Sequence, residues 1–167
     1  MATAMDSAAI ATYLENQRTL ILSTTKKDGA PVAHALWFVY CDGAVYFNIQ
    51  AKSFKYKNIQ RDNRVSCLVE SGERYLDLKG VMIQGHCTPV TDPAEQERHE
   101  AARQEKNGRM GDGMTGMPEW FHSNRQQRLN RNDRVLLKVP LEKVTTWDFS
   151  KVADYYKAKA GSKPAEQ

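Results

Sequence analysis

The sequence predicts a mainly β protein, a closed or split β-barrel of about six to seven antiparallel strands with one inserted helical segment. Three observations carry this reading. Apolar, β-branched runs of strand length recur through the chain, and several meet at Asp-Gly or Ser-Gly turns. The first three runs follow one another with no helix between them, which excludes the strand–helix alternation of a doubly wound sheet. A sheet of this many strands leaves edges exposed unless it closes, and closure removes them.

Taken in order, Asp6 or Ser7 can cap a first helix reaching about Gln17, with Ile10, Tyr13, Leu14 and Gln17 near one face. R-T-L-I-L-S-T-T then reads as a strand ending at K-K-D-G, a hairpin signal. Pro31 can open the second strand, P-V-A-H-A-L-W-F-V-Y, because its missing donor does no harm there. Asp42–Gly43 turns the chain into A-V-Y-F-N-I-Q, and a short lysine-rich helix follows. R-V-S-C-L-V-E and L-K-G-V-M-I-Q-G-H-C-T-P-V form a further pair. Gly80 and Gly85 within the second suggest a bulge, or close approach by another backbone or a ligand. Asp92 as cap, Pro93 in the first turn and Glu95 completing a capping box start a helix that runs to about Lys106. N-G-R-M-G-D-G-M-T-G-M-P is a loop with the composition of a lid, and Pro118 opens a second short helix to about Asn130. R-V-L-L-K-V-P and K-V-T-T-W-D-F close the fold. The division expected is therefore a domain over 1–150, with its helical insertion near 93–130, and a polar tail over 151–167.

The bulk numbers narrow the class more than the function. A chain of 167 residues with 41% hydrophobic and 26% charged residues is one ordinary globular domain. A net charge of +4 suits an acidic small molecule as well as a nucleic acid. Cys41, Cys67 and Cys87 lack C-x-x-C spacing and lie in or beside apolar runs, so reduced thiols and a cytoplasmic location are expected. No apolar run reaches the roughly eighteen residues of a membrane span, and the first residues lack a signal-peptide pattern.

The stretch over 31–58 carries the strongest functional signal. From Gly43 to Arg61 there is no acidic residue, while Lys52, Lys55, Lys57 and Arg61 are cationic. Cations in a helix's first turn oppose its dipole by roughly 0.3–1 kcal/mol each. A phosphate on the free amides of the helix start turns that cost into binding. Lys55 and Lys57 are two apart and point to different sides of a regular helix, so they divide between a phosphate and a second anion or a partner chain. Along the second strand His34, Leu36 and Phe38 share one face, and Ala35, Trp37 and Val39 the other. Both faces being apolar, the strand is expected to be covered on both sides, by the barrel interior and by a flat ring.

The ordered set D-G-x-P, L-W-F, D-G-x-V-Y-F, A-K-S-x-K-x-K-N-I, R-D-x-R-V, V-E-x-G, L-K-G-V and W-D-F resembles the flavin/deazaflavin oxidoreductase branch of the pyridoxamine-5'-phosphate-oxidase-like split barrels. It extends over about 19–149 and breaks only in the insertion. The resemblance implies an FMN-binding type of split barrel, a homodimer, and two cofactor sites at the subunit interface. It implies a ring-contacting strand at His34, Ala35, Leu36 and Trp37, followed by Asn48 and Gln50 on the next strand. It also implies a phosphate segment at Lys52, Ser53, Lys55, Lys57 and Asn58, and a partner-chain contribution at Lys79, Gly80 and Val81. Relatives often carry arginine where Ser53 stands. The cofactor implied is the deazaflavin coenzyme F-420, with FMN as the alternative.

Other constellations are weaker. His34, His86, His99 and His122 offer no metal spacing, although His86 and His99 keep a haem-binding alternative in view. Arg125, Arg128 and Arg131, with Arg103, Lys106 and Arg109, make the insertion basic. The pattern reads as a solvated face or a clamp for an acidic ligand, and too few aromatics are interleaved for nucleic acid. There is no nucleophile–base motif or P-loop, and G-D-G-M-T-G follows a helix, so it is no Rossmann turn. The reading is an oxidoreductase that moves hydride to or from a small unsaturated or oxidised molecule, with no catalytic side chain assigned. A non-catalytic FMN- or haem-binding split barrel is the alternative.

Overall fold

Nine strands and four α-helices are found among the described residues, 3–129, 133–152 and 155–156, of the computed structural model. They run α1 (Ser7–Glu15), β1 (Thr19–Thr25), β2 (Pro31–Trp37), β3 (Val39–Cys41), β4 (Ala44–Gln50), α2 (Phe54–Arg61), β5 (Arg64–Ser71) and β6 (Lys79–His86). After these come β7 (Thr88–Pro89), α3 (Pro93–Met110), α4 (Glu119–Leu129), β8 (Arg134–Pro140) and β9 (Lys143–Asp148). A single 3-10 turn, Tyr75–Asp77, lies between β5 and β6. One antiparallel sheet has the order β2-β1-β5-β6-β9 and the other β3-β4-β8-β7, the two halves of a split barrel.

The count exceeds the six to seven strands expected because two long runs bend and change sheets. Phe38 leaves strand geometry between β2 and β3, where its amide bonds to the Arg18 carbonyl at 3.2 Å. Cys87 does the same between β6 and β7, donating to the Asn63 carbonyl at 2.8 Å. The turn between β3 and β4 places Asp42 at φ 48° and Gly43 at φ 71°. Two successive positive φ values are what a two-residue hairpin loop of this twist requires.

The inward faces of both sheets meet in one core. Leu20, Leu22, Val45, Phe47, Cys67, Val69, Val81, Ile83, Leu137 and Val139 are all essentially inaccessible. Leu14 and Tyr13 of α1 join this core from one side and Ile59 of α2 from another. Strand β4 is buried on both faces over its first four residues, because Ala44 and Tyr46 meet Val90 in a second, smaller cluster on the other face. The α1 cap is Asp6, whose carboxylate accepts from the Ala9 amide at 2.8 Å, and the helix stops at Glu15 rather than Gln17.

At α3, Asp92 and Pro93 act as the sequence indicates, but Glu95 forms no capping box. Its carboxylate instead accepts from Lys138 Nζ at 2.7 and 3.0 Å and from the Tyr46 hydroxyl at 2.8 Å. A half-buried charge-assisted pair outweighs a solvated bond to the helix's own cap. Of the bulge or close approach expected at Gly80 and Gly85, it is the close approach that is found. Gly80 makes room for the Trp147 ring, and Gly85 for Glu142 and the Pro140 carbonyl.

Candidate functional site

The residues singled out above fall on three pieces of the fold. Strand β2, an edge of the larger sheet, touches β4, so the ring-contact strand and the segment leading into α2 adjoin. Lys79, Gly80 and Val81 open β6, separated from β2 in the same sheet by β1 and β5.

Within β2 the alternation divides the four ring-contact residues. His34 and Leu36 face inward and are half-buried, while Ala35 and Trp37 lie on the outward face and are exposed. This outward face is open in the single chain: Trp37 keeps 43% of its surface accessible. The protein covers only part of its indole. The Arg18 guanidinium lies 5.3 Å from the ring centroid, and the backbone at Gly113 abuts the ring edge. On the inward face, His34 Nδ1 is buried and has no hydrogen-bond partner among the described residues.

The mouth of α2 has the chemistry its sequence indicates. Ser53 is the N-cap, its hydroxyl accepting from the Tyr56 amide at 3.4 Å, and no acid stands in the first turn. The hydroxyl's own proton is not used in that bond. The Phe54 and Lys55 amides have no acceptor among the described residues. Lys52, Lys55 and Lys57 join none of the ion pairs found there. Lys55 is half-buried, whereas Lys57 is exposed and stacks its ammonium 5.6 Å from the Phe54 ring centroid. Asn48 and Gln50 are exposed on the same side of β4, just before this mouth.

Three other candidates are used internally. Asn58 is buried, donates to Thr24 Oγ1 at 3.1 Å and accepts from Arg61, so its amide ties α2 to β1. Val81 is a core side chain. The face of Gly80 is taken by Trp147. Lys79 pairs with Asp148 at 2.9 Å, and its side chain stays one-third exposed. Burial pushes the Asp148 carboxyl up, but bonds from Ser150 and Lys79 outweigh it and leave the group below its ordinary value.

Two open hollows, of about 640 and 510 Å³, lie elsewhere, sharing Arg64 and His86 as lining residues. None of the ring-contact, phosphate-segment or partner-chain candidates lines them. The basic side chains at their shared wall are already partnered, Arg64 by Asp62 at 2.7 Å and His86 by Glu142 at 3.0 Å. At the α2 mouth the lysines join no ion pair among the described residues, and unmatched charge is the better sign of an anion site.

The basic insertion is less solvated than its composition suggests. Arg103 is held by Glu100, Arg109 reaches Asn16 and the Glu15 carbonyl, and Lys106 is buried. The side chains of Arg125, Arg128 and Arg131 lie outside the described residues. His99 is enclosed at 5% exposure beside Tyr46, and burial lowers its pKa. Enclosure leaves it no open coordination face for a haem iron. No group of three metal-ligating side chains occurs among the described residues, and no described helix is long and apolar enough to cross a membrane.

Residues 7–148 match the family described as pyridoxamine 5'-phosphate oxidase. The chain belongs to the pyridoxamine 5'-phosphate oxidase family. A hypothetical protein from Mycobacterium tuberculosis is similar at 30% identity and TM-score 0.72, the alignment covering 90% of this chain and 89% of that one. An F-420 reductase is similar at 23% identity and TM-score 0.56, covering 80% and 94%. The haem storage protein HutZ from Vibrio cholerae is similar at 15% identity and TM-score 0.60, covering 84% and 94%. The last two likenesses speak for the fold alone. No match is found among curated protein sequences.

In this pyridoxamine 5'-phosphate oxidase family member, sequence reasoning missed the residues that press on Trp37 and Phe38. Arg18 stands at the start of a strand and reads as an ordinary surface cation. Gly113 reads only as loop punctuation, and Lys106 sits in a helix pattern that looks solvated. Lys106 reaches Phe38 across 68 positions of chain and Arg18 reaches the Gly111 carbonyl across 93, beyond the reach of local pattern.

Proposed function

We propose that this family member is a cytoplasmic, homodimeric oxidoreductase that binds a phosphorylated flavin-type cofactor. The deazaflavin coenzyme F-420 is the first choice and FMN the alternative. The observation that carries this is the α2 mouth: among the described residues Lys52, Lys55 and Lys57 have no ion-pair partner, and the Phe54 and Lys55 amides and the Ser53 hydroxyl proton at the helix start are left for a phosphate to accept from. The exposed Ala35–Trp37 face suits one side of a flat ring, and its strand β2 touches β4, which leads into this mouth. A bound cofactor of this class supplies hydride chemistry, and the chain supplies position, anion donors and dry walls. Asn48 and Gln50 offer amides toward ring heteroatoms from the exposed side of β4. Lys79, at the start of β6 and beside Tyr13, stays one-third exposed, and that exposed portion is available for a contribution across a dimer interface.

The test is a titration of the purified protein with FMN and with the deazaflavin, followed by absorbance and fluorescence. Lys55→Ala and Lys57→Ala are then titrated, and at least one weakens binding by about 1.5–3 kcal/mol, as for a charge-assisted contact. Unchanged affinity in both variants removes the phosphate from this mouth.

A further inference from the structure

The C-terminal end of α3 and the glycine-rich stretch after it are fastened to the strand that ends in Trp37, and three cations fasten them. Lys106 Nζ donates to the Phe38 carbonyl at 3.0 Å and lies 4.3 Å from the Phe38 ring centroid. Arg109 donates to Asn16 Oδ1 at 2.7 Å and to the Glu15 carbonyl at 3.2 Å, at the end of α1. Arg18 Nη2 donates to the carbonyls of Met110 at 2.9 Å and Gly111 at 2.8 Å. The same guanidinium rests on Trp37. It therefore caps the negative end of α3 and props the indole at once.

Gly113 sets how near the loop stands. A Cβ added there would lie 2.8 Å from Trp37 Cη2 and 3.2 Å from Arg18 Nη1, and the residue's φ of +71° favours glycine independently. One edge of the Trp37 ring is thus closed by loop backbone while 43% of the residue stays open. The loop itself is lightly held. Its residues are exposed except for a half-buried Met114, and its internal bonds are single contacts such as the Met117 amide to the Met114 carbonyl. A segment with few buried contacts and a single strong tie can open without the barrel opening.

We propose that residues 111–117 form a movable wall beside the ring site at Trp37, with Arg18 as the latch that positions both wall and indole, so that this loop selects the ligand by its width along Trp37. The selecting role rests on the flavin reading of that face; the latch does not. Arg18 is a positioning residue, because it acts through Trp37 and the loop carbonyls.

Amide hydrogen exchange on the ligand-free protein separates the two parts. Arg18→Ala is expected to accelerate exchange of peptides covering 109–117 by about tenfold or more, with β5 and β6 peptides unchanged and Arg18→Lys intermediate. FMN and the deazaflavin are then titrated separately. The ratio of their dissociation constants is expected to shift at least about fivefold in Arg18→Ala relative to wild type. Unchanged exchange at 109–117, or acceleration spread evenly over the barrel, overturns the latch. Loosened exchange with an unchanged ratio overturns the selecting role. If wild type binds neither compound, the selecting role falls with the flavin reading, and exchange alone judges the latch.

Discussion

Lys106 is a cation to which the fold offers a ring and a carbonyl in place of a carboxylate. It is 6% exposed, and burial, reinforced by Arg109 and Arg18 and only partly opposed by Glu15, lowers its pKa to about 8. Burial favours the neutral amine, so the folded protein releases this proton near pH 8, while the unfolded chain keeps it to about 10.5. Between those values the unfolded state binds more protons, and stability rises with pH. Measured by denaturant melts from pH 7 to 10, wild type should gain on the order of 1–2 kcal/mol relative to Lys106→Met, after discounting for solvent contact. A parallel pH profile in the two proteins would show that Lys106 carries no such term. At the opposite extreme, Glu95 is held below the ordinary carboxylate range, chiefly by Lys138, and burial and Glu95 together push the Tyr46 phenol well up. The Glu95 shift lies below that window, and Tyr46, whose unfolded phenol begins to titrate at its upper end, is common to both proteins, so the difference between them reads Lys106.

Among the elements, β6 and β9 are fitted to each other through a missing side chain. Gly80 stands opposite Trp147 in the register, and the indole folds over the bare glycine. Gly80→Ala drives a methyl into that ring, so Trp147 must turn away. A loss of about 1–3 kcal/mol is expected in thermal or denaturant unfolding, with blue-edge tryptophan emission shifting as the ring becomes wetter. No change in either would mean that the ring moves freely. This pairing also shows where the sequence was legible. The Asp-Gly hairpin, the Asp92 cap and the acid-free first turn of α2 are local chemistry, and each is present as read. Gly80 could be read only as a close approach, because the approaching group comes from β9, 67 positions later in the register. Asn58 reads as part of the anion segment, but its amide donates to Thr24, a partner 34 positions away. The two sheet changes at Phe38 and Cys87 were hidden for a similar reason: an unbroken apolar run bends where long-range pairing demands it.

At the scale of the whole molecule, the larger sheet presents an open face on which Ala33, Ala35 and Trp37 are exposed and Ile21, Leu68 and Met82 are half-buried. A second copy laid on this face would cover them, as the homodimer proposed above requires. Inside the barrel, Cys67 and Cys87 are unpaired thiols with almost no accessible surface, and burial pushes the Cys87 thiol up to about 12 and Cys67 further still. Cys41, half-buried near the barrel's outside, is pushed only to about 11. The three sulfurs therefore form a graded clock. An aromatic disulfide reagent at neutral pH should consume Cys41 first, and the other two together only when the barrel opens. Mass spectrometry after timed quenching would read that sequence directly, and early modification of Cys67 would mean that the interior breathes without unfolding.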